Sequence, residues 1–166
     1  MAWQWVIDAA LQLRQRLQEL GLESWVKTTG GKGLHVVVPI VPKYDWNVIK
    51  AFTQAIAIER VNAAPHRYTA NMSKAKRAGK IYIDYVRNSR GATAIANYST
   101  RARSGAPVSV PLAWGELPTL AGSDSYTVTN VLQRLKTLSH DPWEGFGQVK
   151  QRVTKNMLKI FGVDGN

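Results

Sequence analysis

Side chains able to grip an anion crowd one short stretch, Lys27-Thr-Thr-Gly-Gly-Lys-Gly-Leu-His35. Lys27, Thr28, Thr29, Lys32 and His35 bring ammonium, hydroxyl and imidazole groups to one place. Gly30, Gly31 and Gly33 permit backbone angles closed to other residues, so a turn there leaves amide N–H groups free to point at an anion. The combination suits a triphosphate. A plain basic hairpin turn carries the same signature, and the glycines alone favour that blander reading. The pattern is not the phosphate loop that ends in Lys-Ser/Thr and opens a helix. Here an apolar, β-branched run, Leu34 to Val38, follows the turn, and it predicts a strand.

A second candidate is Asp84. Between Arg60 and Arg103 stand ten lysines and arginines and a single carboxylate, Asp84. It closes the apolar run Ile81-Tyr-Ile, which predicts a strand end and at least partial burial. Two readings stay open: a structural ion pair with Arg87 or Arg90, or a divalent-metal ligand. Carboxylates hold Mg²⁺ or Mn²⁺ in two-metal phosphoryl transfer. His66 and His140 have no partner pattern that suggests metal or catalysis. Tyr98, Trp46 and Trp114 could stack on bases, but packing is the commoner use of each.

The elements that must position these groups follow from periodicity. Val6, Ala9, Ala10, Leu13, Leu17 and Leu20 fall on one helical stripe and predict a helix over 3–20, closed by Gly21. Asp45 is the expected N-cap of a second helix to about Asn62, with Val48, Ile49, Phe52, Ile56 and Val61 inward. Residues 65–80 read as a basic loop with one helical turn. Strands are expected at 80–84 and 92–96, paired through Asn88–Gly91, and at 108–110, with 112–125 as connecting loop. Thr127 or Thr129 should cap a third helix that buries Val131, Leu132, Leu135 and Leu138. A terminal helix is expected over 146–161.

Net charge is +11 and the sequence pI about 10.1 over 166 residues. Clustered like charge repels itself without an anionic partner, so nucleic acid comes first and an anionic membrane second. No long apolar run supports the membrane. Cysteine is absent, which excludes disulfides and thiolate metal sites. The first twenty residues are amphipathic and charged, unlike a signal peptide, and a bacterial cytoplasm is the simplest location. An RNA-binding reading is weaker, because no RNP-type aromatic motif is present.

The combined motifs resemble a known family. Lys27-Thr-Thr-Gly-Gly-Lys-Gly-Leu-His35 looks like the second motif of the primase-polymerase domain of bacterial DNA ligase D, and Ile81-Tyr-Ile-Asp84 like the third. Tyr85 to Ala94, Tyr98 to Arg103, Gly105 to Pro111 and Asp141-Pro-Trp143 are similar too, so the likeness spans nearly the whole chain. It implies an α+β fold, a mostly antiparallel sheet with packed helices, in one domain over 1–166. It implies nucleotide transfer from NTP or dNTP to DNA 3′-ends in non-homologous end joining. Asp84 would be metal-binding and catalytic, with His35 beside it. Thr29, Lys32, Gly33, His35, Arg87, Arg101 and Arg103 would bind the nucleotide, with Lys27 close by. Lys74, Lys76, Arg77 and Lys80 would touch DNA phosphates. His35 and Asp84 should converge from neighbouring strands onto one electropositive hollow.

One departure matters. The family's first motif is an Asp-x-Asp strand just upstream of the helix that begins here at Trp3, and this chain has no such motif. Two of the three expected metal carboxylates are therefore missing. The expectation is an N-terminally truncated domain, inactive alone, that retains triphosphate or DNA binding. A fragment, a split or degenerate gene, or a partner chain supplying the first motif would each produce this. The missing strand should leave an unpaired sheet edge, which a homodimer would bury. The alternative is a non-catalytic DNA-binding or accessory module that contacts end-joining proteins.

Overall fold

A computed structural model describes residues 2–165. In chain order the elements are α1 (Trp3–Glu19), β1 (Trp25–Thr28), β2 (Leu34–Val37), α2 (Trp46–Ala63), β3 (Tyr68–Thr69), a 3-10 helix at Lys74–Arg77, β4 (Ile81–Tyr82), β5 (Pro111–Leu112), a 3-10 helix at Trp114–Thr119, α3 (Val131–Thr137) and α4 (Lys155–Ile160). They gather into two compact units. One, here the hairpin unit, is built from residues 2–39 and 95–151; the other, the loop unit, from 40–94 and 152–165.

The hairpin unit is a three-stranded antiparallel sheet, order β2-β1-β5, under α1. Register pairs Lys27 with His35, Thr28 with Leu34, and Val26 with both Val36 and Leu112. β1 is central and buried at every position. Val26, Val110, Leu112, Leu117 and Ile7 form the heart of the core, and each such aliphatic contributes about 1.5–3 kcal/mol on full burial. α1 buries Ile7, Ala10 and Leu17, while Val6, Ala9 and Leu13 are half-buried; the inward stripe is rotated toward Ile7. Gly21, at φ +78°, closes the helix. Its N–H donates to Gln18 O and that of Leu22 to Leu17 O, both at 2.8 Å, the paired bonds that end a helix on a left-handed residue.

Three expectations in this unit need correction. The buried run Val108–Val110 is not a regular strand. Thr28 N donates to Val110 O (3.0 Å), but Val110 N is taken by the Thr28 hydroxyl (2.8 Å) and Ser109 Oγ donates to Thr28 O (2.7 Å), so side chains interrupt the ladder before Pro111. Residues 112–125 are not simple loop, since Trp114–Thr119 winds into a 3-10 helix. α3 begins after Asn130 rather than on a threonine cap. The Thr127 and Thr129 hydroxyls bond each other at 2.7 Å, and Asn130 Oδ1 accepts from Thr127 N. Of its expected inward residues Val131 is buried, but Leu132 is 64% and Leu135 40% exposed. What holds α3 is Arg134, which grips the Glu116 carboxylate with both terminal nitrogens and donates to Pro111 O at 3.0 Å.

In the loop unit, Asp45 caps α2 as expected, accepting from Asn47 N and Val48 N at 2.9 Å. Val48, Phe52, Ile56 and Ala57 are buried. Phe161, just past α4, meets Phe52 edge-on at 5.6 Å. The expected helix over 146–161 shrinks to α4. Gly145 sits at φ +82°, Gly147 follows, and Thr154 starts a new helix by accepting from Met157 N (3.2 Å). β4 does not pair with 92–96, which form no strand. It pairs in parallel with β3, Tyr68 to Ile81 and Thr69 to Tyr82. The mixed helix-and-sheet class stands, with its larger sheet antiparallel.

Candidate functional site

The glycine turn between β1 and β2 is stitched by two hydroxyls. Thr29 N and Thr29 Oγ1 both donate to Gly33 O, at 3.3 and 2.9 Å. Ser123, 2% exposed, donates to the same oxygen at 2.5 Å and accepts from Thr29 N at 3.0 Å. Thr29 thus holds the turn closed. Ser123 was missed by sequence reasoning: it stands far along the chain, in a stretch read as plain loop. The amides of Gly30, Gly31 and Lys32 donate to no protein acceptor among the described residues.

Arg101 and Arg103 stand over this turn. A Cβ built on Gly31 would lie 3.2 Å from Thr29 Oγ1, 3.9 Å from Arg103 Nη1 and 4.0 Å from Arg101 Nη2. Two guanidiniums therefore converge on one glycine. The 101–107 loop brings them there by folding back on itself: Arg101 N donates to Pro107 O, Arg103 N to Arg101 O and Ala106 N to Arg103 O, all within 2.9 Å. Gly105 and Ala106 absorb the reversal at φ +79° and +43°. Gly30, at φ +63°, lies so close beneath that a Cβ would come within 2.8 Å of Arg101 Cγ and 3.1 Å of Pro107 O. Among the described residues neither arginine is in an ion pair. Lys32 is exposed at the turn. Uncompensated guanidiniums, an ammonium and free amides around small residues make an anion cradle.

Lys27 does not join the exposed cations. It is 6% exposed, and its ammonium donates to Ile95 O (2.5 Å) and Asn97 Oδ1 (3.0 Å). Burial pulls its pKa below the ordinary 10.5. Lys27 braces β1 from within. His35 is half-buried on β2, register partner of Lys27.

Asp84 lies in the loop unit, just beyond β4. Its Oδ2 accepts from Arg87 Nε at 2.9 Å; its Oδ1 accepts from Val86 N at 3.2 Å and Tyr82 OH at 3.3 Å. Arg87 also donates to Thr93 O at 3.0 Å, closing the 84–93 loop. The ion pair that Asp84 makes is with Arg87 rather than Arg90, and the Arg87 side chain remains 63% exposed. The Asp84 side chain is 32% exposed. His35 and Asp84 do not share a sheet: among the described residues β2 pairs only with β1, and β4 only with β3. The expectation of neighbouring strands fails because β4 finds its partner in Tyr68-Thr69.

For a divalent cation the fit is poor. Among the described residues no group of three or more histidines, aspartates or glutamates is placed to hold one. A single carboxylate already engaged on both oxygens does not complete an Mg²⁺ or Mn²⁺ site.

Among the described residues, two of the basic loop's four cations have no partner. Lys74 and Lys76 are exposed on the 3-10 helix. Arg77 lies 3.8 Å over the Tyr82 ring, and Lys80 donates to Pro65 O at 2.7 Å. Of the aromatic candidates, Trp114 is committed, donating to Ser24 O (2.8 Å) under Arg14, whereas Trp46 and Tyr98 are 54% and 43% exposed. No helix among the described residues is long and apolar enough to cross a membrane.

Comparison with known proteins agrees with these motifs. The family model of the LigD primase-polymerase domain matches residues 1–143. The multifunctional non-homologous end joining protein LigD of Pseudomonas aeruginosa is 39% identical over 163 residues, 98% of this chain and 19% of that protein. The bifunctional LigD of Bacillus subtilis is 32% identical over 131 residues, 78% of this chain and 21% of that protein. The chain therefore spans about a fifth of the length of these relatives. Among solved structures, the polymerase domain of Mycobacterium tuberculosis ligase D in complex with DNA superposes with a TM-score of 0.75 at 30% identity, over 82% of this chain and 47% of that one.

Proposed function

Because the chain belongs to the LigD primase-polymerase domain family, we propose that its glycine turn binds the triphosphate of an incoming NTP or dNTP. The observation that carries this reading is the convergence of Arg101 and Arg103 on Gly31 with no carboxylate opposing them. Lys32 and the turn amides of Gly30 and Gly31 complete the cradle, Gly33 closes the turn through its carbonyl, and Thr29 with Ser123 fixes its shape. His35 follows on the next strand and contacts the phosphates from β2. In the loop unit, Lys74, Lys76, Arg77 and Lys80 take DNA phosphates. The setting is nucleotide addition at DNA 3′-ends in non-homologous end joining, as the relatives' names suggest.

Catalysis is a separate matter. Asp84 is the residue whose carboxylate would serve metal chemistry, but it is held by Arg87. On its own this chain binds nucleotide and transfers little or none. Primer extension with Mn²⁺ tests this, and extension that disappears in Asp84→Ala would overturn it. Binding is tested by fluorescence anisotropy with a labelled nucleoside triphosphate. The reading requires a loss of roughly tenfold or more on removing either arginine, a charge-assisted contact of about 1.5–3 kcal/mol. Affinity indifferent to both Arg101→Ala and Arg103→Ala would sink it.

The Arg87–Asp84 pair favours a second reading, a non-catalytic DNA-binding module. It requires DNA affinity unchanged in His35→Ala and Asp84→Ala but lost when Lys74, Lys76 and Arg77 are neutralised together. It also requires no nucleotide binding at the turn.

A further inference from the structure

A broad open groove of about 1010 Å³ lies on the hairpin unit and shares no residue with the glycine turn. Its lining departs from the rest of this basic chain. Fifteen residues form it, with no lysine or arginine among them and two carboxylates, Asp141 and Glu144, whereas the chain as a whole holds 22 basic residues against 11 acidic ones. Neither carboxylate is in an ion pair among the described residues. A surface for nucleic acid is rich in cations, so this groove belongs to something else.

Part of its lining is an anchored aromatic cluster. Trp143 stacks on Phe146 (4.7 Å between centroids, 29° between planes), Phe146 meets Trp25 edge-on at 5.4 Å, and Trp143 Nε1 donates to Val26 O at 2.9 Å. Tyr98, in the lining, is 43% exposed at φ +61°, a backbone state few non-glycine residues adopt, with its N–H tied to Ser109 O at 2.6 Å. Strained residues of this kind gather at ligand clamps. Leu135 and Leu138 also line it, and Leu135 is 40% exposed. Tyrosine and tryptophan set in a preorganised apolar trough, with charge at the rim, are what protein interfaces use as anchors.

We infer that this groove docks a short segment of a partner protein bearing one or two large apolar side chains flanked by lysine or arginine. The apolar side chains lie between Tyr98, Trp143 and Leu135, and the basic ones meet Asp141 and Glu144. The surface is distinct from the nucleotide cradle and does not depend on that cradle's role.

A phage-displayed library of random linear peptides, selected on the full chain, is the test, with the enriched peptides resynthesised and measured by fluorescence anisotropy. The expected winners pair tryptophan, phenylalanine or leucine with lysine or arginine. Leu135→Asp and Glu144→Lys, both at exposed positions, should each weaken them by about tenfold or more, the effect of losing an anchor. Circular dichroism and an unchanged urea-unfolding midpoint confirm that both variants fold. Acidic winners, no enrichment, or affinity indifferent to both substitutions would overturn the proposal. So would displacement of the peptides by an oligothymidine, which would assign the groove to single-stranded DNA.

Discussion

Gly30 and Lys27 show how much a single residue decides at this site. Gly30 adopts φ +63° directly beneath Arg101 Cγ and Pro107 O. Gly30→Ala should therefore destabilise the chain by about 1–3 kcal/mol, through backbone strain and a Cβ that must push its neighbours aside. It should weaken triphosphate binding as well, because the nearer neighbour is one of the two arginines. Urea unfolding and nucleotide anisotropy read the two effects. Lys27 makes a prediction about pH. Its folded pKa lies below the ordinary 10.5 because burial disfavours the charge. Between the lowered value and 10.5 the unfolded chain binds more protons than the folded one, so this group's contribution to stability rises with pH across that window and is lost as pH falls through the folded pKa. Lys27→Met should flatten that rise. Urea midpoints of the two proteins, compared from neutral pH to 10.5, give the check; parallel curves would show that Lys27 does not titrate in this way.

At the scale of an element, the hairpin is a local structure completed by remote ones. Strand, glycine turn and strand were legible from residues 25–38, because alternation, β-branching and glycine act over neighbours in sequence. The clasp was not, because Ser123 reaches Thr29 and Gly33 from the far end of the chain. Ser123→Ala should cost about 0.5–1.5 kcal/mol, the net loss of a hydrogen bond, since Thr29 N keeps its longer bond to Gly33 O. It should speed hydrogen exchange at the turn. Exchange unchanged at Thr29 would mean that Thr29 Oγ1 closes the turn alone. α4 shows a local rule overruled: the apolar spacing of 146–161 suggests one long helix, but two glycines and the Thr154 cap leave only Lys155–Ile160. Thr154→Ala should cost about 1 kcal/mol of stability, in the range of a lost N-cap.

Across the whole molecule the ruling quantity is charge, +11 in 166 residues. The groove on the hairpin unit is lined by none of the lysines and arginines. Binding to duplex DNA should fall steeply with salt, and replacing Lys74 and Lys76 by glutamine should lower the log–log slope by about 0.9 for each lysine that contacts a phosphate. A slope indifferent to both would move the DNA surface away from the 3-10 helix. Light scattering at rising concentration reads the expected pairing of a second copy at the sheet edge, where β2 and β5 are the outer strands.

The sequence by itself determined the family, the helix-and-sheet class, the glycine hairpin and the basic character of the chain. Those are carried by residue type, short spacings and summed charge, which survive without coordinates. Only the tertiary structure decided which cations are free. Lys27 and Arg87 looked like Arg101 and Arg103 in the sequence, yet Lys27 is buried on Ile95 O and Asn97, and Arg87 is paired with Asp84. The physical reason is that a charge is worth what its surroundings leave uncompensated, and those surroundings are assembled from distant parts of the chain.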